Sequence, residues 1–149
     1  MSKNPELIGA IGFFYGGFGA IITPAFGVSG IYGADTAEYN NALGFFMVIW
    51  TVLNTFFFIG SLPINLVYAL IFGFVELAFG LVAASYFAAA DGKAEQSLAL
   101  KKAGGAFAFL AGMAGWYAMG HLMCRTALFF EFPMGDTSRF FIRKKKGAA

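Results

Sequence analysis

The chain has 149 residues, 59% of them hydrophobic and 12% charged, with ten Lys and Arg against eight Asp and Glu for a net charge of +2. That leaves too little polar surface to coat a water-soluble globule of this size, and the near balance of charge offers no footprint for a nucleic-acid partner. The charges gather at the ends and in two short stretches, and the apolar blocks between them reach the ~20 residues that a helix needs to cross a ~30 Å hydrocarbon core. The sequence therefore predicts an all-α integral membrane protein with about four transmembrane helices in a single membrane domain, its partner being the lipid bilayer itself.

The first predicted span covers residues 7–26, rich in Gly and Phe, and ends near Pro24 and Gly27, which suit a helix terminus. Lys3 and the small residues near Ala25 resemble a cleaved signal peptide, but Glu6 and the lack of a leucine-rich centre argue against that reading. Charge is absent from Tyr39 to Val75, an interval too long for one span, and Gly60, Ser61 and Pro63 supply a turn inside it. A second span is thus expected over 42–61 and a third over 64–88, the third carrying an internal acid, Glu76. Polar residues from Asp91 to Lys102 separate it from a fourth span over 103–124. The segment 125–149 that follows is a basic tail.

With four spans both termini share one side of the membrane. Lys3, Arg125, Arg139, Arg143, Lys144, Lys145 and Lys146 lie on that side, against Lys93, Lys101 and Lys102 on the other, so the positive-inside rule places the termini and the tail in the cytoplasm. The run Arg143 to Lys146 reads as a solvated topology anchor.

Chemical motifs are sparse. One cysteine, Cys124, permits neither a disulfide within the chain nor a thiolate metal cluster, and one histidine, His121, cannot build a metal centre. There is no GxSxG elbow, no HExxH pair and no phosphate-binding glycine loop, so no cofactor, no metal and no enzyme activity are expected. Gly and Ala at four-residue spacing, Gly12 with Gly16 and Ala111 with Gly115, predict close helix packing.

Glu76 is the ionisable group furthest inside a span, on one helix face with Gly73, Gly80 and Ala83. A charge facing lipid at mid-bilayer costs several kcal/mol, so Glu76 is expected to face the bundle interior or a wet cavity. Two roles follow. It either holds a proton or repels an anion in a permeation path, or it is a hydrogen-bonded clamp to Asn54, Asn65 or a backbone group. Tyr15, deep among Phe13, Phe14 and Phe18, is read either as a packed tyrosine or as the lining of a narrow passage. Tyr86, Trp116 and Tyr117 suit headgroup depth, and His121, near Arg125, suits a wet interfacial position.

Tyr32 and Gly33, followed by Asn40, Asn41, Ala42, Leu43, Gly44, Phe45 and Phe46, resemble the segment that opens the fourth span of the acetate uptake transporters, the GPR1/FUN34/YaaH family. Lys101, Lys102, Ala103, Gly104 and Gly105 resemble the entry to that family's last span. Gly115, Trp116 and Tyr117 are similar to its interior, and Phe132, Pro133, Met134 and Gly135 to its closing Pro-x-Gly turn. The resemblance runs in order from about Phe13 to Asp136 and covers the C-terminal two-thirds of a six-helix acetate channel or transporter.

It implies passage of acetate or a related small monocarboxylate, in some members succinate, with ammonium export linked to fungal ones. It also implies a homo-oligomer, a hexamer with a pore through each subunit, in the plasma membrane, working by proton-coupled or channel-like transport. By the same resemblance Tyr15 matches a constriction tyrosine and Glu76 an acid of the fifth span. Leu77 or Leu81 stands for a constriction leucine, and Ala114 or Ala118 faces the pore in the last span. The family's Asn-Pro-Ala-Pro-Leu-Gly-Leu signature is absent; Asn4, Pro5, Glu6, Leu7, Ile8 and Gly9 echo it without the Ala-Pro, ahead of a span that resembles the family's second or third. The N-terminal spans are thus expected to be missing. The alternative from another class is a non-transporting scaffold or assembly subunit that binds partner helices through its glycine faces.

Overall fold

The computed structural model describes residue 33, residues 36–125 and residues 132–141; the first predicted span, 7–26, lies outside the described residues. Three long helices follow one another, α1 (Ala37–Ser61), α2 (Leu66–Ala90) and α3 (Ala94–Cys124), and a short turn of helix, α4 (Ser138–Phe141), closes the described chain. Each of the three is long and apolar enough to cross a membrane. At 1.5 Å per residue α1 and α2 reach about 37 Å and α3 about 46 Å, against a hydrocarbon core of ~30 Å.

The helix starts follow from local chemistry. Thr36 and Asn65, both extended, accept from the backbone N–H of Tyr39 (3.2 Å) and Tyr68 (2.8 Å), each satisfying a donor that the first helical turn leaves open. A turn over 62–64 joins α1 to α2, and one over 91–93 joins α2 to α3. The last of these helices starts at Ala94, so the polar residues up to Lys102 form its first turns, with the Lys101 ammonium 4.9 Å from the centre of the Tyr86 ring.

α2 is the central helix, packed against α1 on one side and α3 on the other. The side of α1 that meets it carries Asn40, Leu43, Gly44, Met47, Trp50, Asn54 and Ser61, spaced largely by three and four residues as a helix face requires. Rings fill the seam: Trp50 lies 6.1 Å from Phe79 and Phe57 lies 5.9 Å from Phe72, centre to centre. The buried residues of α3 are Ser97, Gly104, Ala111 and Ala118, one small residue every seven. That period keeps a single narrow seam facing the neighbouring helix in a left-handed crossing. Ala111 is part of it, but Gly115 faces open space, so the packing follows the heptad and not the four-residue pair read from the sequence. Gly12 and Gly16 lie outside the described residues.

Polarity is turned inward. The side chains buried to below 2% exposure are Asn54, Ser61 and Ser85, while Phe45, Ile49, Phe56, Phe109, Met113 and Trp116 stand on the outside, Trp116 at 75% exposure. In water such a surface would aggregate; against lipid tails it carries no penalty, and the polar groups instead find partners between helices.

Gly104 sets how closely α3 approaches. A methyl group there would sit 2.8 Å from Val82 Cγ2 and 3.2 Å from the backbone oxygen of Ala78, and the latter cannot swing aside. Gly104→Val is expected to destabilise the α2–α3 pair by about 1–3 kcal/mol or more through overpacking, read as a fall in the thermal midpoint of the detergent-solubilised protein. Gly105→Val, where nothing lies within 4 Å, is the control that should leave the midpoint in place.

Candidate functional site

Glu76 is the eleventh residue of α2, about 15 Å from its start and so near the middle of the span. Its carboxyl group turns toward α1. Oε2 accepts from Asn54 Nδ2 at 2.7 Å, and Oε1 lies 2.7 Å from Thr55 Oγ1. Consecutive residues of α1 thus hold the two carboxyl oxygens, which is how a carboxyl group at this depth avoids lipid. Asn54 also donates to the backbone oxygen of Phe72 at 3.0 Å, which fixes its amide with the nitrogen toward α2. Its own oxygen, Oδ1, is buried without a hydrogen-bond partner among the described residues.

Thr55 brings to the node a hydroxyl that can donate or accept. Its hydroxyl carries one hydrogen, yet Oγ1 is close both to Glu76 Oε1 and to the backbone oxygen of Thr51, the latter at 3.1 Å. When Glu76 is ionised, Thr55 donates to it. When Glu76 carries a proton, Oε1–H donates to Thr55, and Thr55 donates onward to Thr51. Each protonation state has its own arrangement of the same three oxygens, and the gain or loss of the proton is accommodated by a hydroxyl rotation.

Beside this node lies a cavity of about 510 Å³, lined by Phe58, Leu62, Leu70, Phe74, Leu77 and Glu76 among others and almost wholly apolar. Glu76 and Leu77 therefore share one space. Leu81 does not reach it; one turn further along, it packs where Gly104 of α3 approaches. On α3, Ala118 is buried in the heptad seam and Ala114 is half-buried. Tyr15 lies outside the described residues. Of the clamp partners considered for Glu76, Asn54 is the one in place, whereas Asn65 serves as the cap of α2. Gly73 on the Glu76 face is covered by Phe58 at 3.3 Å, and Gly80 is open. Thr55 is the residue that sequence reasoning missed. The signal for it was its place beside Asn54, since two adjacent polar side chains in an apolar span suggest a single bidentate partner.

The end of the bundle near the start of α2 is closed by the segment 132–137. The N–H of Leu66 donates to Gly135 O at 2.7 Å and that of Val67 to Met134 O at 3.4 Å, so backbone carbonyls meet the open donors of the first turn of α2. Thr137 Oγ1 donates to Leu62 O at 2.5 Å, Tyr117 Oη to Pro133 O at 2.9 Å, and the His121 ring contacts Phe132 O through Nδ1 at 2.7 Å. Gly135 has a φ of +66°, where a side chain is strained, and a methyl group there would lie 3.0 Å from Leu66 Cβ. Next to it, hydrogen bonds from Ser138, first its hydroxyl and then its backbone N–H at 2.8 Å, hold the exposed Asp136 carboxyl below its usual value of 3.8.

An apolar exterior, polar partners between the helices and a carboxyl group held at mid-span beside an apolar cavity define a class: a polytopic helical membrane protein whose chemistry is turned inward. Residues 7–137 match the GPR1/FUN34/yaaH family, and the chain belongs to it. It is 49% identical over 145 residues to the acetate transporter protein patA of Aspergillus clavatus, covering 97% of this chain and 59% of that protein. The protein of the same name from Penicillium expansum is 46% identical, with 97% and 58% covered. Acetate permease A of Emericella nidulans is 29% identical over 142 residues, with 89% and 47% covered. The chain thus spans about three-fifths of the length of the two patA proteins. No solved structure matches it. All three of these relatives carry the name of an acetate transporter or permease.

Two outcomes follow from the geometry. Thr55→Val keeps the shape and removes the hydroxyl, and is expected to cost about 0.5–1.5 kcal/mol in the unfolding of the solubilised protein, the range of buried polar contacts between membrane helices. Asn54→Leu removes the donor to both Glu76 and Phe72 O and should cost more than Thr55→Val in the same measurement. At the closing segment, the depressed titration of Asp136 contributes stability that is present above its ordinary value of 3.8 and lost as pH falls through its lower folded value. A thermal midpoint followed from about pH 6 to about pH 3 should therefore drop less steeply in Asp136→Asn than in the parent.

Proposed function

We propose that the chain moves acetate, or a related small carboxylate, across the plasma membrane, as a subunit of a homo-oligomer with both termini on the cytoplasmic side. The observation that carries this reading is the Glu76 carboxyl group at mid-span, on the edge of an apolar cavity and joined to Thr55 by a 2.7 Å contact. The names of the patA proteins and of acetate permease A support the substrate class, and the basic residues on the terminal side support the orientation.

In the proposed mechanism the solute sheds water against aliphatic and aromatic walls, where a neutral acid passes more easily than its anion. Leu77 narrows the space beside Glu76, and Tyr15 contributes an aromatic wall. Leu81, Ala114 and Ala118 act as spacing residues that set the width. An ionised Glu76 repels a carboxylate, while a protonated Glu76 does not, so passage goes with a proton held either on the solute or on Glu76. Proton-coupled movement is the result, with solute size read at the constriction.

Uptake of labelled acetate into liposomes carrying the purified chain tests the proposal, with and without an inward proton gradient, against empty liposomes and an excess of unlabelled succinate. Saturable, competed uptake that rises with the gradient is expected. Glu76→Gln, which mimics the protonated acid, should retain flux and lose most of its response to the gradient, and Tyr15→Ala should change selectivity among small carboxylates. Flux no greater than in empty liposomes would overturn the reading in favour of a scaffold or assembly subunit.

A further inference from the structure

A partly polar cavity of about 650 Å³ lies at the closed end of the bundle, between the start of α2, the end of α3 and the segment 132–136. The opposite end, where α1 begins and the turn over 91–93 joins α2 to α3, holds a smaller one of about 320 Å³. Asn40 of α1, Ala89 of α2, Gly92 of the turn and Ser97, Leu98 and Lys101 of α3 line it. Lys101 is the single charged residue of that lining, and no carboxylate stands in it. Asp91 of the neighbouring turn is paired with Lys93 at 3.1 Å, outside the lining.

Ser97 is 8% exposed and takes the first buried position of the α3 seam, where Gly104, Ala111 and Ala118 follow. The buried serines of the other helices close on themselves: Ser61 donates to Phe58 O and Ser85 to Val82 O, both at 2.7 Å. Ser97 makes no such bond. Its hydroxyl has no hydrogen-bond partner among the described residues and is left to the cavity that Ser97 lines. A buried polar group so placed calls for a partner that the helices do not supply. Further donors stand beside it. α3 begins at Ala94 without a side-chain cap, so the N–H groups of Ala94, Glu95 and Gln96 are unbonded among the described residues and carry the positive end of the helix dipole. Lys101, one turn beyond Ser97, is steadied by the Tyr86 ring at 4.9 Å and keeps its N–H groups for an anion. Asn40 supplies an acceptor, since its Nδ2 donates to Thr36 O at 3.0 Å and leaves the amide oxygen for another group.

We propose that this cavity seats the headgroup of an anionic, hydroxyl-bearing phospholipid. Its phosphodiester accepts from the Ser97 hydroxyl, the Lys101 ammonium and the open N–H groups of α3, and a headgroup hydroxyl donates to the Asn40 amide oxygen. Depth favours a lipid over an ion from solution: α2 is about 37 Å long and α3 about 46 Å against a hydrocarbon core of ~30 Å, so the turn that joins them reaches the headgroup layer. Ala89 and Leu98 give the same cavity an apolar side for the carbons next to the phosphate. One ammonium with no carboxylate suits a net monoanion, whereas the cation of a choline headgroup would find no counter-charge in the lining. α1 and α3 each pack on α2, and a lipid held here joins the start of one to the start of the other. The inference does not depend on the transport reading.

Native mass spectrometry of the full chain in a neutral detergent tests this, because each retained lipid adds its own mass. Phosphatidylglycerol is expected to give a saturable adduct, and phosphatidylcholine a much weaker one. Phosphatidylmethanol, equally charged but without a headgroup hydroxyl, should also bind more weakly than phosphatidylglycerol. Ser97→Ala is neutral and no larger, so the thermal midpoint of the lipid-free variant should stay in place while the phosphatidylglycerol affinity falls roughly three- to tenfold, as for loss of one hydrogen bond to a charged group. Lys101→Gln should weaken binding at least as much. Lys102→Gln makes the same change of charge at the next residue, which is exposed and outside the lining, and should leave the affinity unchanged. Equal losses in Lys101→Gln and Lys102→Gln with none in Ser97→Ala would mean diffuse attraction and overturn the proposal. So would phosphatidylmethanol or phosphatidylcholine binding as tightly as phosphatidylglycerol. Displacement of the lipid by millimolar inorganic phosphate or sodium acetate would make the cavity a site for a free ion, and the proposal falls.

Discussion

A carboxyl group at mid-span has no water to turn to, and the two side chains that receive it determine how α1 lies on α2. Asn54 and Thr55 sit on the inner face of α1 within 2.7 Å of the Glu76 oxygens, and the aromatic seam from Trp50 to Phe57 forms on either side of that contact. Moving α1 by one residue would carry both partners away and leave an acid facing hydrocarbon, at a cost of several kcal/mol. Polar satisfaction, and not hydrophobic burial, therefore sets the register here. The apolar cavity beside Glu76 follows from the same alignment, since Phe58 and Leu62 of α1 and its turn come opposite Leu70, Phe74 and Leu77 of α2.

α3 is held differently. Its seam contains no polar pair at mid-span, only small residues at heptad spacing that allow α2 to approach until Val82 and the backbone of Ala78 touch Gly104. Close van der Waals contact replaces hydrogen bonding on this side. The far end is then fastened by the closing segment, whose carbonyls cap α2 and accept from Tyr117 and His121 of α3. One stretch of six residues thereby ties the start of α2 to the end of α3, and the polar cavity lies where the tie is made.

The two cavities divide the chemistry by depth. The inner one is apolar with the Glu76 carboxyl group at its edge; the outer one, at the closed end, has a mixed polar and apolar lining. The matched relatives include two proteins named acetate transporters, and the three long helices lie within the residues that match the family.

Much of the fold was legible in the residues because hydrocarbon imposes a strict rule. Charge-free blocks of sufficient length become helices, the chain turns at 62–64 beside the expected Gly60, Ser61 and Pro63, and Glu76 must face inward, with Asn54 a visible partner. The caps of α1 and α2 are local too, since Thr36 and Asn65 act on N–H groups three residues on. Other features depend on what meets across space. Leu77 and Leu81 are equivalent by sequence, four residues apart on one helix, and only the placement of α1 and α3 assigns the first to the cavity and the second to the Gly104 contact. Asn65 and Asn54 were equal candidates as partners of Glu76 until the helices were set side by side. The union of Asn65, Tyr68, His121, Arg125 and Asp136 spans 72 residues of chain, and no periodicity links them. By itself the sequence determined which segments enter the membrane and which group could not face lipid, because those depend on solvation of each residue alone. The tertiary structure alone decided which polar groups meet, because hydrogen bonds between distant residues are set by the register and approach of whole helices.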